Sequence, residues 1–135
     1  MADIHLVCEE CGGKRFKEEI LEIKFHGKNI ADILKLTVDE AITFYLEYEE
    51  DKQAAKVAER LSPLQEVGLG YVKLGQASST LSGGEAQRIK LASYLGKSGT
   101  SKHTVFIFDE PTTGLHFHDI AKLLKSFDAL IESGH

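Results

Sequence analysis

The chain is 135 residues long, 42% hydrophobic and 27% charged, which suits one domain of ordinary size with a real core and excludes wholesale disorder. Sixteen basic against twenty-one acidic residues leave a net charge of −5, which argues against a broad phosphate-binding face, so any nucleic-acid contact on this chain is local. The N-terminus has no basic stretch leading into an apolar run, and no run approaches the ~20 apolar residues that span a bilayer, so a cytoplasmic protein without a membrane segment is expected.

Taken in order, Met1 to Phe16 carry the only two cysteines, Cys8 and Cys11, in Cys-x-x-Cys spacing beside Gly12 and Gly13. That spacing fits a reducing compartment and a metal better than a secreted disulfide, and the glycines permit the tight turn that aims two sulfurs at one ion. Structural zinc takes four ligands, so the pair is half a Zn²⁺ site; His5 is the nearest extra candidate, though packing or exposure accounts for it better. Leu21, Ile23 and Phe25 alternate with Glu22 and Lys24, which predicts a half-buried strand packed on the knuckle, and His26-Gly27-Lys28-Asn29 turns the chain.

Ile30, Ile33 and Leu34 predict a short helix, and Thr37 with Glu40 a capping box opening another near Val38. The charged run Glu47 to Lys52 interrupts it as a solvated face. Ala54 to Val67 reads as a further helix that Pro63 bends or restarts, with Gly68 and Gly70 ending it. Leu69, Tyr71, Val72 and Leu74 read as core packing. Three regions result: residues 1–28, a half zinc knuckle and strand; 29–76, helical; and 77–135.

The third region holds the chemistry. In Leu81-Ser82-Gly83-Gly84-Glu85, a serine and two glycines open a helix to about Leu95, where backbone N–H groups and the helix dipole suit an anion. Ser82 and Glu85 alone are equally well read as a capping box. Along that helix Ile89, Leu91, Ala92 and Leu95 face the core, while Gln87, Arg88 and Lys90 share the other faces. After a polar, flexible loop from Gly96 to His103, Val105-Phe106-Ile107-Phe108 read as a buried parallel strand whose end delivers Asp109 and Glu110, and Pro111 ends it. A last helix carries Ile120, Leu123, Leu124, Phe127, Leu130 and Ile131, closed by Gly134. A phosphate-touching helix start and an acidic strand end are two components of one nucleotide site.

Those two stretches resemble the ATP-binding-cassette superfamily, with Leu81–Glu85 as its signature motif, Val105–Glu110 as its Walker B strand, and Thr113-Gly114-Leu115-His116 as the loop after it. Glu85 and His116, where transporter cassettes usually carry Gln and Asp, and the segments Cys8–Phe16, Gly27–Asp32, Val67–Tyr71 and Leu74–Gln76 resemble the C-terminal cassette of the UvrA family of nucleotide-excision-repair ATPases. The resemblance implies a partial cassette: an α/β fragment, mainly α, with half a zinc module. It implies ATP with Mg²⁺ as ligand, Asp109 holding the metal, Glu110 activating water, Ser82, Gly83, Gly84 and Glu85 gripping a phosphate presented by another cassette, and Gly114, Leu115 and His116 in the contact between cassettes. It also implies as partners the rest of the cassette, an N-terminal cassette, a second copy of the parent, damaged DNA and UvrB, in the SOS-linked excinuclease system. His103 and His118 are assigned no switch role.

No Gly-x-x-x-x-Gly-Lys-Ser/Thr sequence occurs, so the chain by itself is expected not to hydrolyse ATP, and the second cysteine pair, the glutamine loop and the switch histidine of the family are expected outside it. The Val105–Phe108 strand, without neighbours, is expected to be orphaned, and either to self-associate or to be disordered with poor hydrogen-exchange protection, while Ile30 to Val67 folds more securely. Two alternatives stand beside this reading: a cassette of another member of the superfamily, and a non-enzymatic zinc-knuckle interaction module whose Ser-Gly-Gly-Glu is only a helix cap.

Overall fold

The structure is a computed structural model that describes residues 8–95 and 103–135. His5 and nearly all of the loop from Gly96 to His103 lie outside the described residues, so the readings made there have no structural counterpart. Among the described residues six α-helices follow one another: α1 (Glu18–Leu21), α2 (Ile30–Lys35), α3 (Val38–Leu46), α4 (Lys52–Glu66), α5 (Gly83–Leu95) and α6 (Phe117–Glu132), with a short 3₁₀ turn at Ser78–Thr80. Helix α4 is the hub, packing against α3 on one side and against α5 and α6 on the other.

Local chemistry fixes most helix starts. Asn29 Oδ1 accepts from Asp32 N–H at 3.0 Å and opens α2. Thr37 and Glu40 form the expected reciprocal capping box, with Thr37 N–H donating to Glu40 at 2.8 Å and Glu40 N–H donating to the Thr37 hydroxyl at 3.2 Å. The two first N–H groups of α3, which no helix can satisfy internally, are met from outside: Val38 N–H donates to the Val72 carbonyl at 2.9 Å and Asp39 N–H to the Gly70 carbonyl at 3.0 Å. Residues 69–75 therefore thread along the start of α3 and the end of α2, where Leu74 and Gly75 N–H donate to the carbonyls of Leu36 and Leu34. This close approach needs glycine. A side chain at Gly75 would place its Cβ 2.7 Å from the Leu34 carbonyl oxygen, and one at Gly70 would collide with the Asp39 carboxylate.

The main core joins Val67, Leu69 and Val72 to Leu91 and Ala92 of α5 and Leu123 and Leu130 of α6. A second, aromatic cluster sits beside α3, where Phe25 meets Phe44, Tyr45 and Tyr48 edge-on or tilted at 5.8 to 6.1 Å, and His26 stacks on Tyr48.

Three expectations are corrected. No strand forms among the described residues. Leu21 ends helix α1, Ile23 is 71% exposed, and the chain closes a two-residue turn in which Phe25 and Lys28 exchange backbone hydrogen bonds around His26 and Gly27, both at positive φ. Five alternating residues without a neighbouring strand do not hold a sheet, and Glu18 and Glu19 suit a helix start. Thr104 to Phe108 likewise are not in a sheet: Val105 is 89% and Ile107 92% exposed, while Phe106 and Phe108 pack inward onto Tyr94 and Phe127. The third correction is Pro63, which lies inside an uninterrupted α4. It removes one backbone hydrogen bond, and the packing of α4 on three helices outweighs that loss.

Candidate functional site

Helix α5 begins as a capping box. Ser82 N–H donates to Glu85 Oε2 at 2.7 Å, Glu85 N–H donates to the Ser82 hydroxyl at 3.2 Å, and the Tyr71 hydroxyl donates to Glu85 Oε1 at 2.6 Å. Both oxygens of Glu85 are thus engaged within the chain. The Tyr71 hydroxyl first, and then the Ser82 N–H, hold its carboxyl below the ordinary glutamate value, while burial and the Glu85 charge raise the Tyr71 phenol. Gly83 has open space where a side chain would stand, whereas a Cβ on Gly84 would meet Arg88 Nη1 at 3.3 Å and the Thr113 carbonyl at 3.6 Å. The helix start is therefore open at Gly83 and closed at Gly84.

Asp109 and Glu110 sit on a tight turn against this helix. Gln87 reaches the Asp109 backbone twice, donating from Nε2 to its carbonyl at 3.0 Å and facing its N–H with Oε1 at 3.4 Å. Arg88 donates from Nη1 to the Pro111 carbonyl at 2.9 Å. Glu110 between them has φ +46°, a left-handed conformation that costs a non-glycine residue energy, and its carbonyl accepts from Thr113 N–H at 3.1 Å. The Thr113 hydroxyl also approaches Glu110 Oε2 at 3.3 Å. Asp109 and Glu110 are otherwise exposed. Gly114 at φ +77° turns the chain, Leu115 packs against the core, and His116 precedes α6 without capping it through its side chain. His118 is exposed on the first turn of α6.

Arg88 corrects one expectation. It is 1% exposed and belongs to the buried face of α5, and its Nε has no hydrogen-bond partner among the described residues. The spacing 88, 91, 92 and 95 places it on the stripe of Leu91, Ala92 and Leu95, which is the signal the sequence carried. A guanidinium on an apolar stripe is costly to bury, and here Nη1 finds an acceptor in the Pro111 carbonyl while Nε finds none among the described residues.

The cysteine turn lies elsewhere, beside α2, tied by Arg15, which donates to the Gly75 carbonyl at 2.7 Å. Gly12 N–H donates to the Cys8 carbonyl and Lys14 N–H to the Cys11 carbonyl, both at 2.9 Å, with Gly12, Gly13 and Arg15 at positive φ. The Cys11 N–H, the Cys11 side chain and the Glu10 N–H, in that order, lower the Cys8 thiol below its ordinary value. Such N–H-to-sulfur bonds favour the thiolate over the thiol. Among the described residues no three or more His, Cys, Asp or Glu side chains gather as a metal site.

The family described as ABC transporter matches residues 10–113. The UvrABC system protein A of Thermus thermophilus is 50% identical over 135 residues, all of this chain and 13% of the relative, and that of Staphylococcus aureus strain COL is 52% identical over 134 residues, 99% of this chain and 13% of the relative. Among solved structures, UvrA2 from Deinococcus radiodurans superposes with a TM-score of 0.77 at 49% identity, over 95% of this chain and 14% of that one. The chain thus spans about one seventh of the length of the relatives it matches. No helix among the described residues is long and apolar enough to cross a membrane. With the family matched over residues 10–113 and UvrA proteins alike over the whole chain, the chain belongs to the ATP-binding-cassette family and is a UvrA-like segment of it.

Proposed function

We propose that this chain supplies the signature and catalytic-acid part of a nucleotide site in a UvrA-like ATPase of nucleotide excision repair. The observation that carries it is the union, by two adjacent side chains of α5, of a helix start that is open at Gly83 with the Asp109–Glu110 turn. Ser82 and the N–H groups of Gly83 and Gly84 would grip a γ-phosphate, and Glu85, with both oxygens engaged, shapes that grip. Asp109 would hold Mg²⁺ through water, which neutralises charge on the transferring phosphoryl group. Glu110 orients the attacking water and accepts its proton. The β-phosphate loop comes from outside this sequence, so the chain alone has no turnover, and Gly114, Leu115 and His116 lie in the contact with a second cassette.

The same reading makes the protein a cytoplasmic, DNA-binding partner of damaged DNA and UvrB, with Cys8 and Cys11 as half of a zinc site completed by ligands elsewhere. It also gives residues 1–28, 29–76 and 77–135 the roles of half zinc knuckle, helical signature region and partial ATPase subdomain.

The test is a chimera in which this chain replaces the matching segment of the Thermus thermophilus protein. Glu110→Gln is expected to lower kcat for ATP by about 10²-fold to 10⁴-fold while nucleotide affinity stays within about twofold. Unchanged turnover in the Glu110→Gln chimera would sink the assignment.

A further inference from the structure

We propose that Gln87 and Arg88 are positioning residues that set the orientation of Glu110 from helix α5; this deepens the nucleotide-site reading above and rests on it. Gln87 does to Asp109 what a neighbouring strand would do, offering an acceptor to its N–H at 3.4 Å and a donor to its carbonyl at 3.0 Å. Arg88 fixes the other side of the turn by donating to the Pro111 carbonyl at 2.9 Å. The residues before and after Glu110 are thereby tied to one helix, while the Glu110 carboxylate itself stays exposed and accepts from the Thr113 hydroxyl at 3.3 Å.

Burial supports a dedicated role. Arg88 is buried to 1% exposure with Nε unpartnered among the described residues, an arrangement that packing alone disfavours, and an added Cβ on Gly84 would press on its Nη1. Glu85, bound by the Tyr71 hydroxyl at 2.6 Å, stands on the same helix start three residues before Arg88, so the capping box and the residue that holds the turn carrying Glu110 belong to one element. Glu110 occupies a left-handed backbone conformation, which persists only where surrounding bonds over-determine it, and the carbonyls bound by Gln87 and Arg88 are the two that flank it. A group acting through another in this way changes the rate and not the binding, because it alters where the base stands and not what touches the nucleotide.

The chimera described above tests this with Gln87→Ala, Gln87→Glu, Arg88→Lys and a double variant. Gln87→Ala is expected to lower kcat by about 10-fold to 100-fold with KM for ATP within about twofold, a misplacement effect. Gln87→Glu keeps the acceptor for Asp109 N–H, loses the donor to its carbonyl, and is expected to fall between. Arg88→Lys, which keeps the charge but not the planar fork, is expected to lower kcat in the same sense. The deciding readout is the cycle with Glu110→Gln: in that background Gln87→Ala should cost nothing further, whereas a merely structural role would cost the same factor in both. In the 135-residue chain itself, Gln87→Ala should speed hydrogen exchange at the Asp109 amide without changing the α5 amides. Full turnover in Gln87→Ala and Gln87→Glu, or the same fold loss with and without Glu110, would overturn the positioning role and leave the nucleotide-site reading standing. Unchanged turnover in Glu110→Gln alone would instead overturn that reading.

Discussion

The threaded start of α3 and the stretch from His103 to Phe108 are built in opposite ways. At α3 every early N–H finds its acceptor inside the chain, from Thr37, Val72 or Gly70; Gly75 lets the backbones meet and Gly70 leaves room for the Asp39 carboxylate. In the second stretch alternate residues pack while Val105 and Ile107 stand in solvent. Local hydrogen bonding completes the first region with what the chain carries, whereas a strand depends on neighbours distant in sequence. Between the two lies the site, where α5 takes the neighbour's place for Asp109 through Gln87.

The largest way to break this contrast is to remove a side chain on which both regions lean. Leu123 is 0% exposed in the core shared by α4, α5 and α6, and Leu123→Ala should cost about 2 to 5 kcal/mol in denaturant unfolding, melting the helical region and the site turn together. Two separated transitions would show that the regions are independent. Gly75→Ala aims at the threaded side alone: its Cβ meets a backbone carbonyl that cannot swing away, and a loss of about 1 to 3 kcal/mol is expected. An unchanged melting temperature would mean that the thread is slack.

A smaller effect separates the site from the thread by pH. The Glu85 carboxyl lies below its ordinary value of 4.5 in the folded chain, so the stability it contributes is present above that pH and is lost as pH falls through the lowered folded value. Tyr71→Phe removes the largest cause, so the variant should be less stable than the parent at pH 7, and the gap should close in acid. A gap that persists at low pH would place the role of Tyr71 in packing. The smallest effect is expected for Val105→Lys with Ile107→Lys, which should change stability by no more than about 0.5 kcal/mol while reducing any concentration-dependent association seen by sedimentation. A marked loss of stability would show that these side chains are covered.

What the sequence disclosed follows the same division. The capping boxes at Thr37–Glu40 and Ser82–Glu85 were legible because each needs only residues three apart. The break at Glu47–Asp51 and the ends at Gly68 and Gly134 were legible from charge and from glycine at positive φ. The two expected strands failed because alternation at Leu21–Phe25 and a continuous apolar run at Val105–Phe108 state which faces are apolar, not whether a partner strand is present. Pro63 misled because its local penalty is small beside the packing of α4. At the site, the acidic pair and the glycines could be picked out, but Gln87 bonds across 22 positions and Arg88 across 23, distances at which side-chain type alone does not name a partner.

On the role proposed for Glu110, its left-handed backbone sets activity against durability. Asparagine tolerates that conformation better than glutamate, so the residue that would make the turn most comfortable is one that has no proton-accepting carboxylate. Selection for thermal robustness alone would therefore drift away from the acid at this position, and a hardened version of the protein must gain its margin elsewhere, in the core or in the thread, while leaving this one uncomfortable residue in place.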